Sequence, residues 1–381
     1  MRIHYLTDIY LGERNAGTTH TLEIVKHLQR ENKVDVICPT PTDNIKFNYQ
    51  CVIPTFGLKG MARMAILNLG FLLLYPFYLL KNRPDVIYQR FDGSLLLAPS
   101  VIFSKLFNVR LVMEVNGNLI DEIRMKKSPP LYIKLVYLSE KLYYSHSEKI
   151  ICVTPGLKKL LCERYNLSES KIEVVCNGVN IELFKPVKNT AEKQFILFQG
   201  SLLNWQGLEN LINAVPQIVE KCPNISLLIV GDGPEKDKLI TLTNSLNVSE
   251  HVIFIPAVPQ ETLVKLINLA DICVAPFIKE RNDKIGISPM KIVEYMACGK
   301  PIVSSRINNL DEIEKFNAGV LIDPENPEKL AGAIIRLLEA PEETIKMGEN
   351  GRHLVECRYS WKYIGGSVAI ILRSTSQIGR E

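Results

Sequence analysis

Short β-branched and apolar runs alternate along the chain with stretches whose apolar positions recur every three or four residues, and the alternation occurs twice. Such runs read as strands buried on both faces and the intervening stretches as helices covering them. The pattern therefore predicts an α/β fold of parallel sheets. In the first half the predicted strands are Arg2–Thr7, Val34–Cys38, Val86–Gln89, Val109–Val115, Lys149–Val153 and Ile172–Val175. A helix is predicted over Thr18–Arg30, with Leu22, Val25 and Leu28 on one face. The polar stretch Lys185–Lys193 then reads as a linker. A second series follows it: Phe195–Phe198, Ser226–Val230, Val252–Ile255, Asp271–Ala275, Pro301–Ser304 and Val320–Ile322. The helix predicted over Leu208–Val219 carries Leu208, Leu211, Ile212, Val215 and Ile218 at helical spacing. Open parallel sheets bind ligands beyond the carboxyl ends of their strands, and two facing sheets would put those ends around a common cleft.

The 381 residues are 46% hydrophobic and 23% charged, enough for two ordinary domains and incompatible with disorder or a disulfide scaffold. Lys and Arg number 45 against 41 Asp and Glu, a net charge of +4 too dispersed to imply a nucleic-acid partner. The nine cysteines are odd in number and form no C-x-x-C pair, which fits reduced, buried thiols and a cytoplasmic location. The opening Met1–Thr7 is too short an apolar run for a signal peptide and reads as a strand.

One segment changes this picture. Met64–Leu80 is uncharged and flanked by Lys59, Arg63, Lys81 and Arg83. It is short for a membrane span and interrupted by Asn68, Gly70 and Pro76, so a span is the weakest reading. A kinked helix buried in the domain and a helix dipped into a membrane surface, at the inner face of the membrane, both remain open.

Candidate chemistry concentrates between Asp271 and Ser305. Gly286 and Ser288-Pro289 look like a loop entering a helix, with Ser288 as N-cap and Pro289 at the first helical position. Free N–H groups at such a helix start bind anions, and Lys291 adds a full charge; Glu294, one turn on, is placed to accept from sugar hydroxyls. Two glycine turns follow other predicted strands of this half, Gly200-Ser201 leading to Trp205-Gln206-Gly207, and Gly231-Asp232-Gly233-Pro234. Lys236 stands where a dinucleotide fingerprint needs its third glycine. In the first half Gly17 and Thr18 begin a helix, His20 lies one turn into it, and Glu114 and Asn116 sit at a strand's carboxyl end. His27, His146, His251 and His353 are scattered and read as structural, and Trp205 and Trp361 as packing anchors. The sequence holds no D-x-D, H-E-x-x-H or Walker loop, so metal-assisted chemistry is not indicated.

Taken in order, these residues resemble the retaining nucleotide-sugar glycosyltransferases of the GT-B fold, in the family 4 and group 1 branch that includes sucrose and bacterial mannosyl-type enzymes. The resemblance rests on Gly17, Glu114-Val115-Asn116-Gly117, Val175–Val179 before Phe184-Lys185-Pro186, Val230–Pro234, Ala270–Pro276, Glu294–Val303 and Tyr359-Ser360-Trp361. It implies two Rossmann-like domains, 1–185 for acceptor and 186–360 for donor, with a helix at 361–381 returning to the first. It also implies a donor site of Gly200, Ser201, Gln206, Gly231, Gly233, Val258, Gly286, Ile287, Ser288, Pro289, Lys291 and Glu294, with Glu294 on the ribose. Catalytic positions would be Glu114, Asn116 and Lys291, and acceptor positions Gly17, Thr18 and His20. Four usual contacts differ: Gly286 replaces a glutamate that meets the donor sugar, Ser201 and Gln206 replace the Arg and Lys on the diphosphate, and Asn116 replaces a histidine. The chain thus looks like a branch with a G-x-S-P-x-K-x-x-E-Y motif, in which Lys291 becomes the diphosphate ligand. Arg281 and Lys284 would assist it, and Glu280 or Asp283 would replace the sugar contact.

The implied activity is metal-independent, retaining transfer of a sugar to a glycan or lipid-linked acceptor in polysaccharide or glycoconjugate biosynthesis. The nucleotide-sugar is a co-substrate and no cofactor is needed. An epimerase or hydrolase of the same architecture, and a catalytically silent binding or assembly partner, are the alternatives; the four altered contacts favour the latter of these two.

Overall fold

The computed structural model describes residues 1–11, 16–39, 51–53, 58, 60–96, 98–188 and 193–374. Of the readings above, Lys59 and positions 189–192 of the linker lie outside the described residues, as do 375–381 of the closing segment. The chain forms two compact units. One is Met1–Cys176 together with the segment from Trp361 onward, and the other is Asn177–Ser360.

The first unit holds a seven-stranded parallel sheet of β1 (Arg2–Thr7), β2 (Lys33–Pro39), β3 (Cys51–Ile53), β4 (Val86–Arg90), β5 (Arg110–Val115), β6 (Lys149–Cys152) and β7 (Ile172–Val174), in the order β3-β2-β1-β4-β5-β6-β7. The second holds six parallel strands, β8 (Gln194–Gln199), β9 (Ile225–Val230), β10 (Val252–Ile255), β11 (Ile272–Ala275), β12 (Ile302–Ser305) and β13 (Gly319–Ile322), in the order β10-β9-β8-β11-β12-β13. Side chains alternate across each sheet. Leu197, Leu228, Cys273 and Ile302 therefore enter one core of the second unit, while Ile196, Phe198, Leu227, Ile229, Val274 and Val303 enter another. The helix Leu208–Lys221 buries Leu208, Leu211, Ile212, Val215 and Ile218, the stripe its sequence spacing predicts. β3 is absent from the sequence reading: three residues carry too little periodicity to register as a strand.

The strand order reverses direction between β1 and β4 in the first unit and between β8 and β11 in the second. At such a switch the connecting segments diverge to opposite sides, leaving a crevice at the carboxyl ends that a ligand can occupy.

The division of the chain differs from the expected boundary at 185. Val179 and Phe184 are buried in the core of the second unit, Val179 pairs in parallel with Ser360, and Arg352 donates to the carbonyls of Ile181 and Phe184. These contacts bind Asn177–Phe184 to the second unit. The helix Trp361–Ser374 packs along the helix Ala16–Leu28 of the first unit, where Gly365 lets the two approach: a Cβ there would lie 2.5 Å from that of His27.

The helix Gly60–Lys81 corrects the reading of a buried element. Only the stripe Leu67, Phe71, Tyr75 and Leu79 is buried, while Leu69, Leu72, Leu73, Leu74, Phe77 and Leu80 are exposed. Gly70 brings this helix against β3, since a Cβ there would meet the Ile53 side chain at 2.6 Å. Among the described residues no cysteine joins a disulfide, but the thiols are not uniformly buried: Cys357 is exposed, and Cys162, Cys176 and Cys222 are half-buried.

Candidate functional site

In the second unit the carboxyl end of β8 meets the start of the helix Met290–Ala297. Lys291 and Glu294 lie three residues apart on that helix and both turn inward, 8% and 6% exposed, which rules out a solvated surface pair. Lys291 Nζ donates to Gln206 Oε1 at 2.6 Å and stands 3.9 Å from the centre of the Phe198 ring, with Phe277 on another side at 5.4 Å. Glu294 Oε2 accepts from Gln199 Nε2 at 2.7 Å, and the Gln199 backbone N–H donates to the Tyr295 hydroxyl at 2.8 Å. Burial pulls the Lys291 amine down to about 7, against the raising effect of Glu294, and pushes the Glu294 carboxyl up to about 7, against the lowering effect of Lys291 and Gln199. Both groups are held away from their comfortable charge states, the arrangement found where a site awaits a charged ligand.

The glycine turns complete this wall. Gly200, at φ 137°, passes so close to Lys291 that a Cβ would lie 2.8 Å from Nζ. A Cβ on Gly231, at φ 143°, would lie 2.0 Å from the Gly200 carbonyl oxygen, and one on Gly233 2.4 Å from that of Leu202. The Leu202 N–H donates to the Asp232 carbonyl at 2.9 Å, so the turns after β8 and β9 are fastened to each other. The structure thus brings together Gly200, Gln206, Gly231, Gly233, Lys291 and Glu294.

Several other expected donor positions also make structural contacts. Ser288 is not the N-cap. Pro289 occupies that place with extended backbone and no side-chain cap, and Ser288 Oγ instead accepts from the Asn177 N–H at 2.9 Å. Asn177 Nδ2 also donates to the Ser288 carbonyl, so the pair pins the helix start to the segment that opens the unit. Gly286 adopts φ 67° beside the Asn308 carbonyl, and Ile287 is fixed by Asn308 and Asn309. Val258 and Ile287 pack against the core. Ser201 is exposed. Asp283 accepts from the Asn308 N–H and is committed to the loop, whereas Glu280 and Lys284 are exposed on the helix Lys279–Ile285. The Arg281 side chain lies outside the described residues. Trp205 uses its carbonyl to accept from Asn282 Nδ2.

The first unit gathers its polar residues at the β1/β4 switch. The Glu114 carboxylate, at the end of β5, pairs with His20 and accepts from Asn116 Nδ2 at 2.5 Å, with Arg90 Nη1 3.9 Å away and the Tyr5 hydroxyl at 3.4 Å. Burial alone would raise its pKa, but His20, Arg90 and Asn116 overcome it and hold the carboxyl well below the usual range. Glu114 is therefore a fixed anion and a weak base. Gly17 accepts from Arg90 through its carbonyl, Thr18 is buried behind it, and Trp361 sets its ring edge-on to His20 at 5.2 Å between centres. Asp8, just past β1, accepts backbone N–H groups of Asp92, Ser94 and Leu95, and its burial raises it to about 7.

Arg90, Asp8, Gln199 and Phe277 are absent from the sequence reading, and Phe198 enters it only as the end of a predicted strand. Each lies at or just past a strand end, but only the strand order identifies which ends adjoin a switch. Among the described residues no group of three or more His, Cys, Asp and Glu converges to hold a metal ion. Replacing His20 by alanine is expected to cost about 3–5 kcal/mol, because it leaves Glu114 charged and buried with one partner fewer. Urea unfolding of the variant measures this, and a change below about 1 kcal/mol would show that Arg90 and Asn116 suffice.

Two family models match the chain in succession, Glycosyltransferase Family 4 over residues 17–183 and Glycosyl transferases group 1 over residues 180–354. With both matched, the chain belongs to the glycosyltransferases of the GT-B fold. An uncharacterised glycosyltransferase of Methanocaldococcus jannaschii is 32% identical over 247 residues, the match spanning 61% of this chain and 61% of that relative. Among solved structures, sucrose-phosphate synthase from Thermosynechococcus elongatus has a TM-score of 0.79 at 19% identity, covering 98% of this chain and 99% of that one. HepE of Anabaena, solved in complex with UDP-glucose, has a TM-score of 0.74 at 18% identity over 98% of this chain and 100% of that one. These likenesses fix the architecture as GT-B, two Rossmann-like parallel-sheet units.

Proposed function

We propose that the Asn177–Ser360 unit binds a nucleotide-sugar and that the protein transfers the sugar to a hydroxyl of a glycan or lipid-linked acceptor, with retention of configuration and without a metal. The observation that carries this reading is the buried Lys291 amine beside Gly200 and Gln206, with Glu294 one turn further along the same helix. A diphosphate at Gly200 would find the ammonium and the N–H groups of the helix start, while Glu294 would accept from ribose hydroxyls. The complex of HepE with UDP-glucose supports the same donor class.

In the reaction the bond from the sugar's anomeric carbon to the diphosphate oxygen breaks, and its electron pair leaves on that oxygen. The acceptor oxygen forms the new bond on the face the diphosphate vacates, and its proton passes to the departing phosphate. Lys291 stabilises the charge growing on the leaving group, the kind of electrostatic contribution that dominates such sites. Glu114 is too weak a base to take the proton. Its fixed charge, with His20 and Asn116, orients acceptor hydroxyls.

Calorimetric titration with UDP, GDP, ADP, TDP and CMP, without metal and then with magnesium, tests the reading. One nucleotide is expected to bind tightly, with an affinity that magnesium leaves unchanged. Binding that requires magnesium would overturn the metal-free mechanism. Failure of all five would overturn the donor site and favour a silent assembly partner.

A further inference from the structure

We propose that the outer face of the helix Gly60–Lys81, extended by the neighbouring helix Pro99–Leu106, docks flat on an anionic lipid bilayer. The helix presents Leu69, Leu73, Phe77 and Leu80 on the side opposite its buried stripe, with Phe77 73% and Leu80 69% exposed. A single exposed leucine is ordinary, but a run of this length on one helix is not a surface that water favours. The helix Pro99–Leu106 packs beside it through Phe103, whose ring lies 6.3 Å from Phe71 and 5.9 Å from Tyr75, and it adds the exposed Ile102 and Leu106.

The charges around this surface select its occupant. Arg63, Lys81 and Lys105 lie on the two helices, Arg83 follows the first, and neither helix contains an acidic residue. Arg83 is fixed in place by donating to the Phe107 carbonyl at 2.9 Å. A two-fold contact between copies of the chain would set these cations against each other. Anionic headgroups would neutralise them while the leucines and Phe77 enter the acyl boundary.

The same helix cannot leave the fold to span the bilayer without loss. Its Tyr75 hydroxyl hydrogen-bonds the buried His4 ring at 3.1 Å, and Asn68 Nδ2 donates to the Ser94 carbonyl at 2.7 Å. Those ties, with the buried stripe, keep its axis along the surface of the unit. This inference does not depend on the sugar-transfer reading, since its measurements involve no catalysis.

The test is sedimentation of the full chain with vesicles of phosphatidylcholine, alone and mixed at about three to one with phosphatidylglycerol, at low and high salt. Binding to the mixed vesicles is expected, weakening as salt rises. Leu73→Glu with Phe77→Glu, and separately Lys81→Glu with Lys105→Glu, are each expected to lower it about tenfold or more. These positions are exposed, and thermal melts of both double variants confirm that the fold is kept. As a second readout, the fluorescence of Phe77→Trp is expected to be quenched by vesicles containing brominated lipid. Absence of sedimentation at low salt would overturn the proposal. So would unchanged binding by Leu73→Glu with Phe77→Glu, or a concentration-dependent dimer that ignores vesicles.

Discussion

Lys291→Met is expected to lower the rate of sugar transfer about 100-fold or more while leaving the protein at least as stable as before. The two halves of this expectation have one cause. The amine is buried and pulled down to about 7, so the folded chain holds a cation in surroundings that disfavour it. An apolar side chain of similar length removes that cost, and with it the charge that would meet the diphosphate. A thermal melt beside a transfer assay separates this from ordinary damage: lost activity together with a lower melting temperature would make Lys291 a structural residue. A proton signature accompanies the proposal. An arriving diphosphate raises both Lys291 and Glu294, so above about pH 7 nucleotide binding should take up protons. Titrations in buffers of different ionisation enthalpy measure that uptake, and heats that do not change with buffer would contradict it.

Gly231→Ala should destabilise the second unit severely. The new methyl would lie 2.0 Å from the Gly200 carbonyl oxygen, on a residue whose φ of 143° already excludes ordinary side chains. Neither atom can yield cheaply, because Gly200 is tied through its N–H to the Val230 carbonyl, and Gly231 through its N–H to that of Ile255. A loss of about 3 kcal/mol or more follows, which in a unit of this size lowers the melting temperature by about 6–12 °C. Since the movement would displace Gly200 from Lys291, nucleotide affinity should fall with stability. A variant that melts normally and binds normally would mean that the two turns are looser than their geometry implies.

Most of the architecture was legible in the chain because parallel strands buried on both faces leave unbroken apolar runs, such as 227–230, that need no partner to be seen. Lys291 and Glu294 were legible for a related reason: glycine turns and a helix start are local events. What stayed hidden depended on strand order. Arg90 and Gln199 are ordinary polar residues at strand ends until β1 is set beside β4 and β8 beside β11. Ser288 misled because the Ser-Pro pair has the composition of a cap, while its hydroxyl answers to Asn177, 111 residues earlier in the chain. The helix Gly60–Lys81 could be located by composition, but which of its faces packs on the sheet is decided by Ile53, His4 and Ser94, whose positions no helical periodicity reveals.

The return of Trp361–Ser374 to the first unit has a consequence for biosynthesis. The Asn177–Ser360 unit is contiguous, so it can complete its fold as soon as it clears the ribosome. The unit begun by Met1 must wait for its last helix. Until then Gly365 does not cover the flank of Ala16–Leu28, and His20 lacks the ring of Trp361. Of the two units, the one translated first is therefore finished last, and during that interval it has the greater need of a chaperone.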